Sequence, residues 1–297
     1  MISINKTKSG KNINELIEFS IINIDKPSGP TSFKIDMVIK ESLNLSKTSH
    51  FGTLDPAVTG VLPIALSRAC RLMPYFIGSK KSYIGTMRLH KENDIDTIKK
   101  EIKQFIGKIN QLPPLKSRVK REVREREVYR FEILEVSDDK KNILFETEVQ
   151  AGTYIRKLID DMGKKIGGAH MLELRRTKAS IFEEKDSYTI YEFLEAVEEY
   201  KNGNEEKLRR MLIPGEIISN IIPEIQVKNE SLKKLYHGSP LFKKFINNEK
   251  YINTLKDKEK VSVFYREKFI GIFKTTVNKN NETLAFPEFV LQPIKTN

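Results

Sequence analysis

The sequence predicts an α+β protein, a mixed body followed by a small β-rich C-terminal domain. Three observations carry this. Strand-like and helix-like apolar patterns mix between residues 17 and 201. A connector follows, running from Ile213-Pro214-Gly215 through Pro223. Beyond it the tail, about 75 residues, holds mainly short strands and is long enough for a small domain. The expected division is therefore 1–220 and 221–297.

Taken in order, residues 17–25 (EFSIINIDK) read as a short strand, and the turn Lys26-Pro27-Ser28-Gly29-Pro30 leads into a helix with Ile35, Val38, Ile39 and Leu43 on one face. After a loop over 47–60, Val61 to Leu66 read as a buried strand, and 81–89 as another, from the alternation of Tyr83, Gly85 and Met87. Residues 94–106 place Ile95, Ile98, Ile102, Phe105 and Ile106 on a helical face closed by Gly107 as C-cap. Strands 128–136 and 143–150 flank the polar SDDKKN, a hairpin signature. Ile155, Leu158, Ile159, Met162 and Ile166 mark a helix ending at Gly167-Gly168. Ile190, Phe193, Leu194 and Val197 mark another over 189–201. The tail holds a short helix at 229–237, capped by Gly238, and the strands VSVFYRE, KFIGIFK and AFPEFVLQP.

Of the 297 residues, 39% are hydrophobic and 31% charged, which is polar for a globular chain yet far from a disordered composition. Lys and Arg number 52 against 40 Asp and Glu, a net charge of +12. Such an excess points to a polyanionic partner, because each neutralised phosphate releases counterions. Cys70 is the sole cysteine and reads as a small core residue; with four histidines it excludes both an internal disulfide and a Cys/His zinc site. No apolar run approaches the ~20 residues of a membrane span, and the N-terminus lacks the apolar core of a signal peptide. A soluble, intracellular, nucleic-acid-facing protein is expected.

The densest chemical cluster is His50-Phe51-Gly52-Thr53-Leu54-Asp55-Pro56-Ala57-Val58-Thr59-Gly60-Val61-Leu62-Pro63. It sets a carboxylate in a loop stiffened by glycines and prolines, just before a buried strand. An isolated Leu-Asp-Pro reads first as an Asp-Pro turn. The whole string, however, closely resembles the catalytic motif of the TruB family of RNA pseudouridine synthases. Four more matches follow the family's order: Ile24-Asp25-Lys26-Pro27-Ser28-Gly29, Lys81-Ser82-Tyr83-Ile84-Gly85, Ala151-Gly152-Thr153-Tyr154-Ile155-Arg156-Lys157-Leu158 and Leu174-Arg175-Arg176-Thr177. Two segments resemble the archaeal and eukaryotic dyskerin branch: Pro113-Pro114-Leu115-Lys116-Ser117-Arg118-Val119-Lys120-Arg121 followed by Arg124, Arg126, Val128 and Tyr129, and Gly168-Ala169-His170-Met171-Leu172-Glu173-Leu174-Arg175-Arg176. Tyr236-His237-Gly238-Ser239-Pro240 and Lys268-Phe269-Ile270-Gly271-Ile272-Phe273 resemble a PUA domain. Phe51 departs from the glycine usual in archaeal relatives and is expected to alter how the loop meets RNA.

The resemblance implies a pseudouridine synthase catalytic fold, a central mixed or antiparallel sheet flanked by helices, with a PUA-like RNA-binding domain. It implies isomerisation of uridine to pseudouridine, with Asp55 as the catalytic carboxylate and Arg156 as its orienting guanidinium. A carboxylate suits an electron-poor C1′, as in glycoside hydrolysis; whether it adds to C1′ or removes a C2′ proton stays open. Tyr83 would stack on the uracil, against the plain alternative of a core tyrosine. Leu174 would line the pocket, and Lys26 and His50 would position RNA or hold the loop. Lys116, Arg118, Lys120 and Arg121, four cations with no acid between them, would contact phosphate; a solvated, ion-paired face is the alternative. No metal or cofactor is required.

As partners, the branch implies an H/ACA guide RNA, target rRNA or tRNA, and the small H/ACA core proteins, with no membrane. This would be a role in rRNA and tRNA processing and ribosome biogenesis, cytoplasmic in an archaeal-type protein and nucleolar in a eukaryotic one. Two other readings are stand-alone action on the tRNA T-loop and a non-catalytic RNA-binding scaffold.

Overall fold

The computed structural model describes residues 2–113, 120–247, 255–276 and 282–293. Its strands are β1 (Ser20–Lys26), β2 (Thr48–His50), β3 (Thr59–Leu66), β4 (Lys81–Leu89), β5 (Gly107–Gln111), β6 (Arg124–Val136), β7 (Asn142–Val149), β8 (Ala169–Ala179), β9 (Phe182–Glu183), β10 (Tyr188–Thr189), β11 (Ile213–Pro214), β12 (Glu224–Gln226), β13 (Leu241–Phe242), β14 (Lys260–Tyr265), β15 (Lys268–Thr275) and β16 (Thr283–Val290). The helices are α1 (Ile4–Ser9), α2 (Ile13–Glu18), α3 (Ser32–Ser42), α4 (Met73–Ile77), α5 (Ile95–Gln104), α6 (Ile155–Gly163), α7 (Ile190–Lys201), α8 (Glu206–Met211) and α9 (Leu232–Tyr236).

Two compact units result. The larger comprises Ile22–Ala65 and Cys70–Met211. Its mixed sheet runs β10-β1-β3-β8-β4-β7-β6-β5, with β2 on β3 and β9 on β8. From Val61 on, β3 is buried on both faces, which explains its unbroken apolar run. Its first residues pair in parallel with β8, Gly60 opposite Arg176, and Arg176 lies opposite Tyr83 on antiparallel β4. Gly60, Arg176 and Tyr83 thus form one row across three strands. At Gly60 (φ +100°) a Cβ would come within 2.2 Å of the Arg176 carbonyl oxygen, so only glycine admits this approach.

Helix α6 buries Ile155, Leu158, Ile159 and Met162 at helical spacing and packs on β8. Helix α7 starts at a Thr189/Glu192 capping box and buries Ile190, Phe193 and Val197, while Leu194 stays exposed. Cys70 is half-buried; its thiol donates to the Ala65 carbonyl at 3.5 Å, and burial pushes its pKa up to about 11.

Several elements differ from expectation. Asn12 and Glu15 form a capping box that carries a helix to Glu18, so the first strand starts at Ser20 rather than at residue 17. Helix α5 stops at Gln104, and Gly107, with φ +96°, opens β5 instead of capping the helix. Pairing with β5 extends β6 back to Arg124. The segment Ala169–Ala179, noted only as a motif, is the strand between β3 and β4.

The smaller unit groups Met1–Ile21 and Leu66–Ala69 with Leu212–Asn297. Its five-stranded sheet runs β12-β14-β15-β16-β13 over a core that includes Ile225, Leu235, Val261, Ile270 and Phe273. This grouping differs from the expected division into 1–220 and 221–297, because the first residues pack with the tail. Phe19 stacks on Phe269 with ring centroids 5.6 Å apart, Lys11 pairs with buried Glu216 at 2.6 Å, and β11 pairs with Ser20 and Ile21.

Phe51 does not face outward from its loop. It is 2% exposed, stacks on Phe76 at 4.9 Å with rings 6° from parallel, and tilts onto Phe182 at 5.9 Å. Any effect on how the loop meets RNA therefore acts through the loop's anchoring to the core beneath, not through contact by the ring itself. Phe51→Ala should therefore destabilise the protein by about 3–5 kcal/mol in urea unfolding; a loss under about 1 kcal/mol would show that the ring is not packed this way.

Candidate active site

The loop from Phe51 to Val58 is irregular backbone, and its polar groups are satisfied from several sides. Ser32, the first residue of α3 and fully buried, grips Leu54 twice: its hydroxyl donates to the Leu54 carbonyl at 3.0 Å and accepts from the Leu54 N–H at 2.8 Å. Lys26, at the end of β1, donates from Nζ to the carbonyls of Pro27, Pro56 and Val58 at 2.7, 3.0 and 2.9 Å. Arg176 donates to the carbonyls of Val61 at 2.7 Å and Gly52 at 3.0 Å. His50 bridges Asp36 in α3 and Thr53 in the loop.

Held this way, Asp55 meets Arg156, whose Nη2 lies 2.6 Å from Asp55 Oδ2. Both side chains are open to solvent, 49% and 61% exposed. Arg156 is the second residue of α6, reached through a sharp bend at Gly152. There φ is +82°, and a Cβ would meet the Arg126 guanidinium at 3.2 Å. The bend is followed by Tyr154, whose main chain is bonded at both N–H and C=O by the buried side chain of Gln111.

Tyr83 is buried, opposite Arg176 in the pairing of β4 with β8. Leu174 is also buried, opposite Gly85, where a Cβ would come 3.0 Å from the Leu174 side chain. Neighbouring Arg175 ties β8 to β1 through a bidentate pair with Asp25 at 2.9 and 2.8 Å, and reaches Glu184 as well. Three buried cations surround the loop. Burial lowers the pKa of Lys26, while Asp55 opposes that shift and Arg176 adds to it. Burial also lowers that of Arg176. Lys81, whose Nζ donates to the carbonyls of Ile77 and Ser79, is brought down to about 8 by burial and the Arg176 charge.

The structure thus joins Asp55 to Arg156 directly, and Lys26 and His50 to the Asp55 loop through hydrogen bonds, while Tyr83 lies opposite Arg176, whose side chain bonds Gly52 in that loop. Lys26 is 0% exposed and has no surface to offer RNA, so of its two expected roles, positioning RNA or holding the loop, its bonds fit the second, and its grouping with the substrate-binding residues is corrected. Lys116 and Arg118 lie outside the described residues. Lys120 and Arg121 are exposed, and Lys120 pairs with Glu122 at 3.2 Å. Among the described residues no hydrogen bond or ion pair joins either to Asp55. Nor does any group of three or more His, Cys, Asp or Glu there suit a metal, and no helix is long and apolar enough to cross a membrane. Sequence reasoning missed the supporting roles of Ser32, Gln111 and Arg176, and missed Lys81 as a buried cation. Arg176 and Lys81 at least fell inside motifs it had singled out.

Comparison with known proteins gives a consistent family. Residues 40–155 match the family described as TruB family pseudouridylate synthase, N-terminal domain, and 156–218 match the tRNA pseudouridylate synthase B C-terminal domain. A probable tRNA pseudouridine synthase B of Methanocaldococcus jannaschii is 42% identical over 78% of this chain and 69% of its own length. Its Archaeoglobus fulgidus counterpart is 42% identical over 76% and 70%. Among solved structures, a Cbf5-Nop10-Gar1 complex contains a chain with TM-score 0.86 and 34% identity, covering 96% of this chain and 89% of that one. An H/ACA RNP bound to a substrate RNA containing 2′-deoxyuridine gives 0.86 and 32%, covering 97% and 90%.

The lowered pKa of Lys81 fixes the sign of a pH effect. The unfolded chain keeps an ordinary lysine value of ~10.4, so between about 8 and that value the unfolded state holds the extra proton and stability rises with pH. Urea unfolding should show the wild type gaining stability relative to Lys81→Met as pH is raised from about 7.5 to 9.5. Parallel curves for the two proteins would contradict the assignment.

Proposed function

The chain belongs to the TruB family of pseudouridine synthases, and from that premise we propose that Asp55 is the group that acts on the target uridine. The observation that carries this is the Asp55–Arg156 pair at 2.6 Å, presented to solvent on a loop that is fixed from beneath. In the reaction the N1–C1′ bond breaks, uracil turns, a C5–C1′ bond forms, the C5 proton leaves and N1 gains one. The Asp55 carboxylate works at the sugar, adding to C1′ or taking the C2′ proton. Arg156 fixes its orientation through a charge-assisted bond. We assign Tyr83 to the face of the flipped base and Leu174 to the apolar side of its pocket. His50 holds the loop. Lys120 and Arg121, with Lys116 and Arg118, remain our candidates for phosphate contact.

We further infer that the chain works as the catalytic subunit of an H/ACA ribonucleoprotein. Support comes from its likeness, over nearly its whole length, to chains solved with Nop10 and Gar1 and with an H/ACA substrate RNA. On this reading the small core proteins and a guide RNA are its partners, rRNA is a substrate class, ribosome biogenesis is the setting, and residues 221–297 supply a PUA-like RNA-binding domain. A cytoplasmic location goes with it, since the relatives named above come from archaea. A second reading has its own support: those relatives carry the name tRNA pseudouridine synthase B, which favours tRNA as substrate. A scaffold without catalysis is disfavoured, because RNA binding alone gives no reason to join Asp55 to Arg156.

Tritium release from RNA labelled at uridine C5 tests both levels. Asp55→Asn should lower release at least roughly 10³-fold with RNA binding intact, and an active Asn variant would contradict the assignment of Asp55. Release only with guide RNA and the core proteins present supports the ribonucleoprotein reading. Release by the chain alone on a tRNA T-loop supports the second.

A further inference from the structure

We propose that Gln111 is a positioning residue for the catalytic pair, acting through the main chain of Tyr154; this rests on the reading of Asp55 and Arg156 given above. Gln111 ends β5, and its side chain is buried, 3% exposed. Its Nε2 donates to the Tyr154 carbonyl at 3.2 Å, and its Oε1 accepts from the Tyr154 N–H at 3.0 Å. One amide thus takes both main-chain groups of a single extended residue, much as a neighbouring strand would.

Tyr154 is the residue from which α6 starts, and no side-chain cap closes that helix end. Arg156 sits two residues further on. Its guanidinium is 61% exposed and reaches Asp55 with one nitrogen, so its aim depends on where the first turn of α6 is held. Gly152 supplies the bend before this point, and Gln111 fixes the main chain after it.

The opposite partner is set by the same device. Ser32 makes a two-bond grip on Leu54, immediately before Asp55. Each half of the pair therefore follows a main-chain residue clamped by a buried polar side chain. Removing the Gln111 clamp leaves the Tyr154 N–H and C=O without these partners and frees the helix start to shift. A displacement of about an ångström at a reacting group costs on the order of 10² in rate.

The test uses the full chain in whichever assembly supports tritium release, under single-turnover conditions and with rates expressed per folded molecule. Gln111→Met should slow the chemical step by about 10- to 100-fold and leave RNA affinity unchanged. Gln111→Glu gives a signature that lost stability alone would not. A protonated carboxyl can donate from one oxygen and accept at the other, reproducing both bonds, whereas a carboxylate cannot donate. Burial favours the protonated form. Its rate should approach wild type at the acid end of the active range and fall as pH rises, adding an alkaline limb that the wild type lacks, at constant RNA affinity. A folded Gln111→Met at the wild-type rate, or a Gln111→Glu profile parallel to wild type, overturns the proposal. Should Gln111→Met fail to fold, the Gln111→Glu profile decides alone. Asp55→Asn runs alongside: if that variant is active, the reading of the catalytic pair fails, whatever Gln111 does.

Discussion

The Asp55 loop hangs from two buried cations. Lys26 spends its ammonium on three main-chain carbonyls, two of them just past Asp55, and Arg176 gives its guanidinium to carbonyls at Gly52 and Val61. Burying such groups is costly unless they are hydrogen-bonded, and the loop carbonyls supply those bonds. The exchange is reciprocal: irregular backbone would otherwise leave its oxygens unsatisfied, so the cations and the loop fix each other. A carboxylate can then be presented to solvent at a defined point without itself being buried.

The rest of the larger unit serves that arrangement. Strands β1, β3, β8 and β4 lie side by side in that order. Lys26, Gly60, Arg176 and Tyr83 therefore come from adjacent strands, although 150 residues of chain separate Lys26 from Arg176. The Gly60–Arg176–Tyr83 row links the floor of the loop to the tyrosine. Arg156 arrives separately, on α6, whose apolar face packs on β8. Two elements with independent supports thus converge on one ion pair, and an exposed pair of this kind needs such supports, because by itself it contributes little stability.

Much of this could be read from the sequence where local pattern and final structure agree. The apolar face of α6, the alternation in β4 and the unbroken run of β3 each follow from burial, and the stiff Asp55 loop stands out by its glycines and prolines. The strand Ala169–Ala179 did not announce itself, because its charged residues mask any alternation and its place is set by pairing with β3 and β4. The supporting residues escaped for a related reason. Ser32, Gln111 and Arg176 bond to main-chain groups far away in sequence, and a bond to a backbone oxygen leaves no trace in the identity of its partner. From the sequence Phe51 reads only as a residue that alters how the loop meets RNA; its stack on Phe76 and the tilted contacts with Phe182 show that the ring itself turns inward.

The dependence of catalysis on the buried cation is tested most directly by Lys26→Met in single-turnover tritium release, with folding and RNA affinity followed in parallel. If the three carbonyl bonds set the position of Asp55, the folded variant should bind RNA as the wild type does and isomerise uridine about 10²-fold more slowly. A folded Lys26→Met protein working at the wild-type rate would contradict the account.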